Sequence, residues 1–74
     1  MITELEQVVL TTDLPEYRLK KGDIGTVVLV HQEGLGYEVE FITLTGKTVA
    51  IVSLFNSQVR AIGDREIAQA RVIA

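Results

Sequence analysis

Apolar positions along the chain fall in short runs broken by turn residues at intervals of about eight to twelve, the spacing of a small all-β barrel or sandwich. In "EQVVLTT", alternation puts Val8 and Leu10 on one face and Gln7, Val9 and Thr11 on the other. Ile2, Leu5 and Val9 also fit a helical turn, but the β-branched Val8, Val9, Thr11 and Thr12 favour a strand. "DLPEYRLKKGD" reads as a connection, because Pro15 lacks an N–H and holds Leu14 extended. Tyr17 and Leu19 are expected to fold back over one end of the core, with Lys20 and Lys21 left in water.

Gly22-Asp23 and Gly25 lead into a second strand, "GTVVLVHQ", and Glu33 to Gly36 lead into a third, "GYEVEFIT". The third has the clearest alternation: Tyr37, Val39 and Phe41 on one face, Glu38 and Glu40 on the other. Gly46 in "TLTGKT" supplies the positive φ of a hairpin into "TVAIVSLF", where Ala50, Val52 and Leu54 oppose Val49, Ile51 and Ser53. Asn56, Ser57 and Gln58 interrupt the β pattern and predict a 3₁₀ turn before a short strand from Val59 to Ile62. After Gly63-Asp64 the chain reads as a short final strand, with a short helix capped by Asp64 as the alternative. About five antiparallel strands in 74 residues predict one SH3-like barrel domain spanning 1–74, since a sandwich needs about 100 residues.

Composition narrows the function classes. The chain has no cysteine, so neither a disulfide framework nor a thiolate metal site is available, and packing alone must hold it together. Glu4 and Glu6 stand where a secretory signal needs basic residues, and no window approaches the roughly 18 apolar residues of a membrane span, so a cytoplasmic protein is expected. The net charge of −3 disfavours nucleic acid and anionic membranes and suits a cationic protein partner.

Candidate chemistry is sparse. His31 is the single histidine, and Asp23, Glu33 and Glu38 lack the spacing to build a metal site around it, so no metal and no cofactor are expected. Ser53 and Ser57 carry no nucleophile signature. "GDIGTVV" lacks the spacing and terminal lysine of a phosphate-binding loop, and its glycines enter a strand where a dinucleotide fingerprint would enter a helix.

"LKKGDIGTVVLV", "YEVEF", "TGKT" followed by "VAIVSL", and "SQVRAI" together resemble a family of small uncharacterised bacterial proteins, frequent in cyanobacteria, defined as a domain of unknown function. The resemblance runs from about Val8 to Ile62 and implies an SH3-like barrel with no established activity. Where members place glycine before Leu-Lys-Lys, this chain has Tyr17-Arg18.

The leading expectation is a non-enzymatic protein-interaction module, in one version an antitoxin-like or immunity-like partner of a basic toxin-like protein. Its candidate contacts are Glu38 and Glu40 and the carboxy-terminal Ile67, Val72 and Ile73; for the last three, capping the core or self-association is an equal reading. The alternative is RNA or ribosome binding through Arg18, Lys20 and Lys21, because "LKKGDIGTVV" also resembles the basic-Gly-x-x-Gly barrel element of certain ribosomal proteins and elongation factors.

Overall fold

The computed structural model describes residues 1–73. Five antiparallel strands form one sheet: β1 (Gln7–Leu10), β2 (Ile24–His31), β3 (Gly36–Ile42), β4 (Thr48–Phe55) and β5 (Val59–Ala61). Their order across the sheet is β4-β3-β2-β1-β5, so a meander of β1 to β4 is completed when β5 returns to pair with β1. With the 3₁₀ turn Asn56–Gln58 between β4 and β5, this is the small SH3-like barrel that the strand spacing predicts. Val8, Leu10, Val27, Tyr37, Val39, Phe41, Val52 and Leu54 fill it; all but Val27, on a strand whose pattern gives no faces, come from faces that alternation groups together. Leu14 and Leu19 join them from the first loop, where they pair as an isolated bridge.

Small polar groups set the joints. Gln58 Oε1 accepts the Phe55 N–H at 2.8 Å, and Thr11 bonds the carbonyls of Gln58 and Ser57, tying the 3₁₀ turn to the end of β1. Asp23 accepts the Lys20 N–H at 2.8 Å and closes the turn into β2. Arg18 adopts φ 61°, a left-handed conformation that glycine enters without steric cost.

Two expectations need correction. Tyr17 does not cap the core; it is exposed, and Leu19 alone folds inward. Among the described residues the predicted carboxy-terminal strand or helix does not form: residues 62–73 run as an irregular strap, and residue 74 lies outside the described residues. Val9, which alternation groups with Gln7 and Thr11, is buried, on the side of β1 where Ile24 and Ile62 line the same surface depression.

Two charge clamps explain the strap's path. The Arg60 guanidinium donates to both carboxylate oxygens of Glu66, at 2.7 and 2.6 Å, and Glu66 also accepts the Gly63 N–H at 2.6 Å. Further along, Arg71 pairs with both oxygens of Asp23 and donates to the Arg18 carbonyl at 3.1 Å, which brings Ile73 against the core. A helix would place these side chains elsewhere, so two bidentate pairs outweigh the helix preference of Ala and Glu.

The clamps make the strap acid-sensitive. Hydrogen bonds from Arg60 and then Gly63 pull the Glu66 carboxyl down to about 2. Partial burial pushes Asp23 up, but its bonds to Arg71 and Lys20 outweigh that and leave it below the usual range. Both groups are depressed in the folded state, so their contribution is present above the unfolded value near 4 and is lost as pH falls through the folded values. In an NMR titration from about pH 5 to about pH 2, residues 63–73 are expected to move toward random-coil shifts before β3 and β4 do. A strap that stayed docked until the barrel itself unfolded would contradict this.

Candidate interaction face

The candidate site is the outward face of β2, β3 and β4. Register places Leu29, Glu38 and Ser53 in one row across the three strands, and Thr26, Glu40 and Ile51 in the next. A shift of register between Val27 and Leu29 turns Val28 and Leu29 both toward solvent, the local effect of a β-bulge. Ile51 is 57% exposed and Phe55, at the end of β4, is 72% exposed. The three strands carry two glutamates, one histidine and no lysine or arginine. An acidic centre is thus bordered by accessible apolar groups.

The carboxylates are held in place. Glu38 Oε2 accepts from Ser53 Oγ at 2.5 Å and lies 2.7 Å from His31 Nε2, and these two contacts, the serine's first, lower its pKa. Glu40 accepts from Thr48 Oγ1 at 2.9 Å. Ser53 and His31 meet on the same carboxylate oxygen rather than on each other, so the histidine is not placed to draw a proton from the hydroxyl as in a nucleophile–histidine pair. Chemically, the arrangement keeps two negative charges fixed beside apolar surface, which suits recognition of a cation next to an apolar side chain.

The other predicted residues lie apart from this face. Ile73 is half-buried against the core, beside Tyr17 and Val49, whereas Ile67 and Val72 are 92% and 91% exposed on the strap. Ile67 sits by β1 and β5, at the opposite end of the sheet from β4. Arg18, Lys20 and Lys21 are exposed in the first loop, interleaved with acidic groups: Asp23 accepts the Lys20 N–H, Asp13 accepts the Lys21 N–H at 2.8 Å, and Glu16 lines the same surface depression as Arg18. Sequence reasoning missed Leu29, Ile51 and Phe55 as companions of the glutamates. The signal available was the lack of any charge in "TVAIVSLF", but not its register.

Among the described residues no cluster of His, Asp and Glu has metal-binding geometry, and no helix is long and apolar enough to cross a membrane. Comparison with curated proteins and with solved structures finds no match. Residues 4–61 match the model of the Domain of unknown function (DUF4926), an uncharacterised family of the kind that the glycine turn and "YEVEF" resemble. Since the matched segment holds all five strands and covers most of the chain, this protein belongs to the DUF4926 family.

Proposed function

We propose that the barrel is a non-enzymatic protein-interaction module whose outward face on β2, β3 and β4 binds a basic partner protein. The observation that carries the reading is Glu38 and Glu40, fixed by hydrogen bonds on three strands that carry no lysine or arginine and bordered by Leu29, Ile51 and Phe55. Fixed charge steers encounter and sets register, while the apolar border supplies the area that drives association. A small basic toxin-like protein in a bacterial cytoplasm is the specific partner we favour, by charge alone. RNA is the rival ligand; its three candidate cations share their loop with Asp13, Glu16 and Asp23, which dilutes the positive field a phosphate backbone rewards.

The test is affinity capture from the native host on immobilised wild-type protein and on Glu38→Lys/Glu40→Lys. Wild type is expected to retain a basic protein stoichiometrically, and the double reversal to weaken retention by about a hundredfold, in line with truncating desolvated interfacial charges. Capture of RNA in place of protein, lost on Lys20→Glu/Lys21→Glu, would replace this reading with the rival.

A further inference from the structure

The two ends of the sheet are treated differently. At one end β5 is only three residues long, carries Arg60, and is followed directly by the strap that Glu66 clamps to that arginine. These are ordinary protections of a strand edge: shortness, charge and cover. At the other end β4 runs eight residues, Thr48–Phe55, and contains no charged residue and no proline. Among the described residues its single neighbour in the sheet is β3.

Which backbone groups of β4 are free follows from one bond. The Phe55 N–H donates to Gln58 Oε1, so at Phe55 the polar groups point away from β3. Backbone groups in an antiparallel ladder alternate every residue, and no register shift intervenes between Ile51 and Phe55, so the N–H and C=O of Ser53 and Ile51 point away as well. The irregularity opposite Phe41 and Ile42 ends this straight stretch on the Val49 side.

We propose that β4 is the interface for a second copy of this chain, joined edge to edge across a two-fold axis at Val52. In that register Ile51 stands opposite Ser53 of the second copy and Ser53 opposite its Ile51, so all four free groups of each chain find partners. The occupant is a second copy because an uncharged strand meets itself without like-charge contact, whereas it offers a basic or acidic strand nothing to pair with. Both outward faces then lie on the same side of one continuous sheet, with the Glu38 and Glu40 patches flanking the axis. The edge contact is small, which places it in the weak, reversible range.

The experiment uses the purified 74-residue chain alone, so it is independent of whether a basic partner exists. Sedimentation equilibrium from about 10 μM to about 1 mM is expected to give a monomer–dimer equilibrium, and Ile51→Lys, on an exposed position beside Glu40, to raise its Kd at least about tenfold. Amide exchange supplies the second readout: the Ile51 and Ser53 amides are expected to gain protection as concentration rises, while those of Val52 and Leu54, turned toward β3, are protected throughout. A monomer at about 1 mM would overturn the proposal. So would a dimer indifferent to Ile51→Lys in which the Ile51 and Ser53 amides stay unprotected, which would indicate another surface such as Ile67 and Val72.

Discussion

Gly25→Val is expected to abolish cooperative folding. A Cβ at Gly25 would lie 2.5 Å from Val39 Cγ1, 2.8 Å from Phe41 Cε1 and 3.0 Å from the Glu40 carbonyl oxygen. Val39 and Phe41 are buried and belong to the central cluster, and Glu40 O is backbone, so none of the three can yield cheaply. Overpacking one methyl group costs about 1–3 kcal/mol, and valine adds two more carbons in the same space. A chain of this length has a total stability of about 4 to 11 kcal/mol. Thermal unfolding followed by circular dichroism should show no sigmoidal transition for Gly25→Val and a midpoint lowered by about 4 °C or more for Gly25→Ala. Midpoints within about 2 °C of wild type for both would contradict the close approach. Gly22→Ala is the useful comparison, because there the space is open and the difficulty is φ +96° instead.

Leu10→Ala is the second large effect. Leu10 is 1% exposed, its N–H bonds the Asp23 carbonyl, its C=O accepts from Gly22, and its strand position pairs with Val59. Those backbone bonds hold the surrounding strands in place and keep the site from collapsing, so truncation leaves a cavity and costs about 2–5 kcal/mol. With a urea slope near the low end of about 1 kcal/mol/M, the midpoint should fall by about 2 M or more. Ile67→Ala, on an almost fully exposed residue, should stay within about 0.5 kcal/mol of wild type. Equal midpoints for Leu10→Ala and wild type would mean that this residue is not the core position described.

How far the sequence discloses this molecule depends on the range of the interaction. Alternation of Tyr37, Val39 and Phe41 against Glu38 and Glu40 is local, and it survives intact in β3. The 3₁₀ turn at Asn56–Gln58 is also local, since three polar residues cannot continue an inward-facing strand. The strap was not legible: Arg71 and Asp23 are 48 residues apart, and nothing in "REIAQARVIA" announces an extended path held by two distant clamps. In the sequence Gly25 only leads into a strand; its requirement is steric and arises from Val39 and Phe41 on the neighbouring strand.

The candidate face divides the same way. Glu38 and Glu40 could be named from β3 alone, whereas Leu29, Ile51 and Phe55 join them only through cross-strand register, which the bulge after Val27 helps to fix. Ser53 and His31 gain their role, holding one carboxylate, for the same reason. The basic loop looked more cationic in one dimension than in three, because Asp13 and Asp23 fold back onto the backbone of Lys21 and Lys20.

In the proposed function the acidic outward face, and not the basic loop, meets the partner. The most direct measurement is an amide shift map of isotope-labelled protein titrated with the basic protein that it captures. The largest changes are expected at Leu29, Glu38, Glu40, Ile51 and Phe55. A footprint centred on Arg18, Lys20 and Lys21, with β3 and β4 undisturbed, would contradict it.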